Sequence, residues 1–390
     1  MVAANPSRHT YTPLTGASAW KAGTNDGTVV RMDKLVMGAP TGTAVVGGVT
    51  YQTATWTSAW VTPGHTFTQL VPSWTALTPR GSWLKVSLRV KTAAGRVSSF
   101  DTVASWARGD KDIKRASAAR QIDDLARIDV DTLLSNNARP LSGWQVQIRL
   151  FKTAKALTPV ISTVGAVASR IGSLPGTSAP SSLVGSTLGV PAYSQMRHKG
   201  HYPAYGGGGE AWCSPTSVAM VLSYFHAQPD PTEWSWVAPT DLAPWVDNAA
   251  RMTYDYRYQG TGNWSFNTAY AARTLPGAFV TRLTSMREAE QFLAAGIPLV
   301  ASISFGAGEL TGSPLRSSPG HLVVIIGTTS TGRVIVNDPA AATDTTVRRT
   351  YSRGQFERAW LGRSHGAVYV MHDAGHPLPA PWASTKARRR

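Results

Sequence analysis

The sequence predicts two folded parts: an N-terminal all-β domain of sandwich or jelly-roll-like type, and a C-terminal α+β domain. Three observations carry this expectation. Residues 10–165 are dominated by alternation of apolar and polar side chains, the period of a half-buried strand. Residues 170–188, RIGSLPGTSAPSSLVGSTL, are small, polar and rich in Pro, Gly and Ser, which is a linker composition. From residue 190 the pattern changes to helical signals mixed with short continuous apolar runs. The expected division is therefore an accessory β domain over 1–169, a linker over 170–188, an α+β domain over 189–375 and a basic tail over 376–390.

In the N-terminal part, Leu84, Val86, Leu88 and Val90 face one way, while Lys85, Ser87, Arg89 and Lys91 face the other. Arg127 to Leu133 reads as a second alternating strand, with Ile128 and Val130 inward and Asp129 and Asp131 outward. Trp144, Val146, Ile148 and Leu150 oppose Gln145, Gln147 and Arg149 in a third. Short strands separated by Gly, Pro and Asn turns suit a sandwich or jelly roll. Lys111 to Ala126 is the one helical candidate here. Beyond the linker, Val190 opens a short extended segment ending at Gln195. A loop rich in Gly and Tyr follows, and then Cys213-Ser214-Pro215 leads into the apolar run Val218 to Phe225, which predicts a buried helix. Proline suits a first helical turn, where its missing N–H costs nothing, and Ser214 is the expected N-cap. Ser285 to Ala295 predicts an amphipathic helix closed by Gly296. Ile297 to Ile303, His321 to Ile326 and Val334 to Val336 predict buried strands.

Hydrophobic residues make up 42% of the 390, enough to build real cores and to exclude disorder along the whole length. The net charge of +16 is spread thinly, with 20 basic and 9 acidic residues before position 190 and 18 and 13 after it. A cationic surface favours polyanions, whether nucleic acid, an anionic membrane or an acidic cell-wall polymer, although a general Arg bias that aids solubility gives the same balance. No basic block marks a nucleic-acid site, and nucleic acid is not an expected partner. No stretch reaches the ~18–20 apolar residues of a membrane helix. The single cysteine excludes an internal disulfide and a Cys-based zinc site. Gly206 to Gly209 lacks the spacing and trailing Lys of a phosphate loop. Glu210 and His201 resemble metal ligands, but no partner sits at helical spacing, so neither a metal nor a cofactor is expected. Trp234, Trp236, Trp245 and Trp264 are read as core.

The chemistry converges on Cys213. A helix N-terminus carries partial positive charge and free N–H groups, both of which favour a thiolate. A nucleophilic cysteine needs a base, and His321 opens the apolar run HLVVIIG. The base needs an acceptor to fix its tautomer. Asp338, which ends VIVND seventeen residues on, reaches His321 if the two strands are antiparallel neighbours; Asn337 is the alternative. Gln195, eighteen residues before Cys213, offers a side-chain amide that completes an oxyanion hole with the N–H of Cys213.

The order VPAYSQ, WCSPTSVAMVLSY, GHLVVIIG, VIVNDPA resembles the C39-like peptidases, a family of papain-like cysteine proteases, over about 190–372. The resemblance implies a papain-like α+β fold. It also implies a Cys213 nucleophile, His321 as general base and acid, Asp338 as orienter and Gln195 as oxyanion donor. Two departures stand out: the Gln-to-Cys spacing is much longer than is usual in papain-like enzymes, and Ser214 replaces a common glycine. The expected function is thiol-dependent hydrolysis of a peptide or protein substrate, outside the cell or at its surface, with the β domain targeting a surface or polymer. Two alternatives are a non-catalytic wall- or glycan-binding protein and a thiol acyltransferase or amidase on the same scaffold.

Overall fold

The structure, a computed structural model, describes residues 6–119, 121–122 and 124–383. The arginine run closing the basic tail lies outside the described residues. The described chain forms two compact units, one of Arg8–Ile171 with Asp255–Gln259, the other of Gly172–Tyr254 and residues 260–383 together with residues 6–7.

The first unit is β-rich, with two seven-stranded antiparallel sheets. In one, Gln69–Leu77 and Val160–Arg170 are central, and Arg8–Thr15 pairs along the long second strand. In the other, Ser82–Lys91 and Gly143–Lys152 pair over their whole lengths. The alternation of these two strands is as the sequence predicts: Leu84, Val86, Leu88 and Val90 are buried with Trp144, Val146, Ile148 and Leu150. Side chains of both sheets meet inside, Trp74 of one lying edge-on to Trp106 of the other at 6.0 Å.

Three local expectations fail, each for a physical reason. Lys111 to Ala126 forms no helix among its described residues. Ile113 instead covers the cluster of Tyr51, Trp83, Ala107 and Phe151, and Ala116–Ser117 pairs as an edge strand with Ala104–Ser105. Tertiary pairing overrides a weak local propensity. Arg127 to Leu133 is a hairpin, not one strand: Ala126–Asp129 pairs with Thr132–Ser135 around the turn at Val130–Asp131. Val130 takes φ 53° in that turn, so it does not point inward as a strand residue, and Asp131 is buried. β-branched residues rarely adopt positive φ, so the pattern reads through the turn.

The second unit is α+β. Its helices are α1 (Cys213–Tyr224), α2 (Pro244–Thr253), α3 (Trp264–Ala271), α4 (Met286–Ala294) and α5 (Arg353–Leu361), with a short turn at Ala380–Ala383. Its strands are β1 (Phe279–Arg282), β2 (Leu299–Phe305), β3 (Ser318–Thr328), β4 (Val334–Asn337), β5 (Arg348–Tyr351) and β6 (Ala367–Val370). They form one antiparallel sheet in the order β1-β6-β2-β3-β4-β5. No helix among the described residues is long and apolar enough to cross a membrane.

Two features of this unit place the site. Helix α1 is buried from Ser214 to Ser223, as its apolar sequence predicts. It is held by hydrogen bonds to the sheet: Ser217 Oγ donates to the Leu322 carbonyl at 3.2 Å, and the Ser214 and Tyr369 hydroxyls meet at 2.9 Å. Ser214 is therefore not the N-cap. Trp212 occupies that position without a side-chain cap, and Cys213 is the first helical residue. The second feature is residues 172–188, whose linker composition belies their anchoring. The Ser178 hydroxyl and N–H donate to Glu357, the Ser178 carbonyl accepts from Arg353, and Ser181 N–H donates to Glu290. Thr187 then bridges to Gly327 of β3.

Of the four tryptophans expected in the core, Trp234, Trp236, Trp245 and Trp264 are all half-buried. Trp212 and Trp360 fill the interior instead.

Candidate active site

β3 starts three residues earlier than its apolar run suggests, at Ser318, so His321 lies within the strand and is buried. Ile303 of β2 pairs with His321 while Phe305 pairs with Ser318, so three steps on β3 answer two on β2. The extra residue is a bulge at Pro319–Gly320, the kind of irregularity that re-aims a neighbouring side chain. Here it precedes the imidazole directly. On the other side of β3, Val324 pairs with Asn337, and Asp338 follows at once.

That register brings His321 and Asp338 together, as their spacing predicts. His321 Nε2 donates to Asp338 Oδ1 at 2.7 Å, with both side chains buried. The carboxylate is satisfied further by the Ala340 N–H on Oδ1 at 3.1 Å and the Tyr351 hydroxyl on Oδ2 at 2.8 Å. Asn337, the alternative acceptor, is engaged elsewhere: its amide nitrogen donates to the carbonyls of Val190 and Pro191. Tyr351 was not foreseen. It lies thirteen residues beyond Asp338 at the end of β5, and nothing in RRTY marks it as polar support for a carboxylate.

Cys213 is half-buried at the first position of α1, and its thiol couples electrostatically to the His321 imidazole. Because Asp338 takes Nε2, Nδ1 is the ring nitrogen left for the sulfur. Burial opposes ionisation of the thiol, but the imidazole of His321, with the Leu322 N–H, outweighs it and holds the thiol below its ordinary value. Burial likewise opposes a charged His321, yet the charge and hydrogen bond of Asp338, and then Cys213, push it up to about 10. Burial alone would raise Asp338; His321 and Tyr351 bring it below the usual carboxylate range. The three directions agree on one charge state, a thiolate beside an imidazolium beside a carboxylate.

Gln195 is buried at the start of a 3-10 turn, Gln195–His198, and is fixed at both ends. Its N–H donates to the carbonyl of Pro339, next to Asp338, at 2.9 Å, and its side-chain Nε2 donates to the carbonyl of Glu210, three residues before Cys213, at 2.6 Å. The long Gln-to-Cys spacing is absorbed by a loop closed at its base. Gly200 N–H donates to Glu210 Oε2, and Gly209 packs so tightly that a Cβ on it would lie 2.3 Å from the His198 carbonyl and 2.5 Å from that of Gln195. The glycine run therefore makes a pinch between two chain segments.

Residues 187–368 match the family described as Peptidase_C39 like family. The C-terminal half of this chain is a C39-like peptidase domain. Residues 10–169 match a model described as the Peptidase C39 N-terminal domain, so the β-rich unit is a recognised companion of such domains. Membership supports a cysteine peptidase with a peptide substrate. Two solved structures, of infectious bursal disease virus strains Gt and Gx, show 11% and 14% identity, with TM-scores of 0.22 and 0.20. Each match covers 42% of this chain, which spans about a third of theirs (32%). Likeness this slight carries no argument. No curated protein matches the chain.

Proposed function

We propose that the C39-like domain is a thiol-dependent peptide hydrolase of papain-like type, with Cys213, His321 and Asp338 as its catalytic triad. The observation that carries this reading is the buried His321–Asp338 hydrogen bond at 2.7 Å, with the thiol coupled to that imidazole being the first residue of a buried helix. The Cys213 sulfur attacks the scissile carbonyl carbon, and the carbonyl π electrons move to oxygen. The backbone N–H of Cys213 and the second N–H of the Gln195 side chain stabilise that oxyanion. As the intermediate collapses, imidazolium His321 gives its Nδ1 proton to the leaving amine, and the acyl group stays on sulfur as a thioester. His321, now neutral, takes a proton from water; hydroxide attacks the thioester, and the thiolate–imidazolium pair returns with release of the acid. Asp338 holds the ring with Nδ1 toward the sulfur and stabilises its charge.

The two sheets of the N-terminal unit act in this proposal as an accessory sandwich. It holds the enzyme on an anionic wall polymer outside the cell, a role that the net charge of +16 supports.

The test is the pH dependence of iodoacetamide alkylation at the sole cysteine. The wild type alkylates at pH 6–7 as a thiolate, and His321→Ala shifts the profile to the ordinary thiol range of ~8.5 or above. A wild-type profile centred near that ordinary value, or one unmoved by His321→Ala, overturns the triad. Release of a free amine and acid from a peptide, with no transfer to added amine, separates hydrolysis from acyl transfer.

A further inference from the structure

A second cluster of chemistry-bearing side chains lies in the C-terminal unit outside the triad. His198 and His201 stand at the start of the loop between Gln195 and Cys213, and Asp247 is in the first turn of α2. His198 Nδ1 donates to Asp247 Oδ2 at 2.9 Å, and His201 Nδ1 donates to Asp247 Oδ1 at 3.1 Å. The Asp247 carboxylate is completely buried, and among the described residues these two imidazoles are its only hydrogen-bond partners. Asp241 offers a further carboxylate, 3.7 Å from His201 Nδ1, where it also accepts from the Tyr202 hydroxyl.

We infer that His198, His201 and Asp247 form a binding site for a divalent transition-metal ion of zinc type, which takes Nδ1 of each imidazole in its neutral, Nε2-protonated tautomer in place of the proton shared with Asp247. The two imidazole nitrogens and the carboxylate present their ligand atoms within 4.8 Å of one another. Two ligands on tetrahedral zinc, at bond lengths of about 2.0–2.1 Å, stand about 3.3 Å apart. For a carboxylate that binds through both oxygens, the observed spacings, 2.9 Å from His198 Nδ1 to Oδ2 and 3.1 Å from His201 Nδ1 to Oδ1, need to open by only a few tenths of an ångström. Two imidazoles with one carboxylate suit zinc over calcium or magnesium, which prefer oxygen alone. Two of the ligand residues are sealed, while His201 and Asp241 remain partly exposed, which gives an ion its way in and leaves room for water or Asp241 as the fourth ligand. The ion ties the loop's first turn to α2. The carboxylate and the two imidazoles are far apart in sequence, and only the fold assembles the set.

The experiment uses the full chain carrying Cys213→Ser, so that the active-site thiolate cannot hold metal. The protein is stripped with a chelator and titrated with zinc chloride against a chromophoric competitor. One equivalent of zinc binds per chain, with Kd below about micromolar. His201→Ala weakens binding at least tenfold, Asp247→Asn abolishes it, and His376→Ala, which breaks an exposed His–Asp pair elsewhere, leaves it unchanged. Cobalt loaded in place of zinc shows the intense visible absorption of a tetrahedral site. Failure to retain zinc at micromolar concentration, or equal retention by His201→Ala, overturns the assignment. Should Asp247→Asn fail to fold, His201→Ala decides, because His201 is partly exposed and Asp247 keeps its bond to His198.

Discussion

The C-terminal unit holds two buried histidine–aspartate pairs of nearly the same length, His321–Asp338 at 2.7 Å and His198–Asp247 at 2.9 Å. They differ in what stands on the open side of the imidazole and carboxylate. At His321 the third group is a sulfur at a helix head, and Tyr351 and Ala340 fill the remaining acceptor sites of the carboxylate. At His198 the carboxylate turns its second oxygen to another imidazole. The first pair also sits on paired strands with a bulge beside it, the second between a loop and a helix. A buried His–Asp bond is thus a neutral component. In the proposed reading a sulfur makes it a nucleophile's base, and a second imidazole makes it a ligand set.

The sharpest break between the two pairs comes from the nucleophile. Cys213→Ala lowers peptide hydrolysis by more than about 10⁴-fold, measured with a cleaved peptide by mass spectrometry, while zinc retention at His198 is unchanged. Next is Asp338→Ala, which lowers kcat/KM by about 10³-fold and moves the alkaline limb of the pH–rate profile down from about 10 toward 6.5, since His321 loses the charge that raises it. In the wild type the rate rises as the thiolate forms, below the ordinary thiol value, and falls as His321 loses its proton near 10. The same shifts reach stability. The folded value of His321 is raised, so its contribution is complete below about 6.5 and is lost as pH climbs through about 10. The folded value of Asp338 is lowered, so its contribution is present above about 4 and is lost as acid protonates the folded form. Gln195→Ala costs about 10²-fold in kcat but leaves alkylation of Cys213 unchanged, because it stabilises an oxyanion that alkylation never forms.

Smaller effects test the support. Tyr351→Phe removes one buried hydrogen bond to a charged carboxylate, costing about 1.5–3 kcal/mol in urea unfolding and only a few-fold in kcat/KM. His201→Ala keeps the alkylation profile within about twofold of wild type, because that imidazole shares no partner with the triad.

Much of this was legible in the sequence, and the failures share a cause. Ser82–Lys91 and helix α1 are visible because one face, or all faces, of an element is buried, which writes a period into the residues. The His321–Asp338 pair is visible because adjacent antiparallel strands convert spacing into proximity. Tyr351, His198 and Asp247 are invisible because their contacts join elements whose adjacency no local pattern encodes, and a search that finds His201 without a partner at helical spacing passes over His198 three residues earlier. The turn at Val130 and the bulge at Pro319–Gly320 are backbone events that leave hydropathy unbroken.

The pinch at Gly209 has an evolutionary consequence. Since the chain is clamped at His198 and again at Gly209, and Gly200, His201, Tyr202 and Tyr205 between them each hold a further contact, added length is absorbed at the glycines 206 and 207. Foreign sequence spliced in at 206–207 lengthens the loop while the clamp, and the chemistry behind it, stays put.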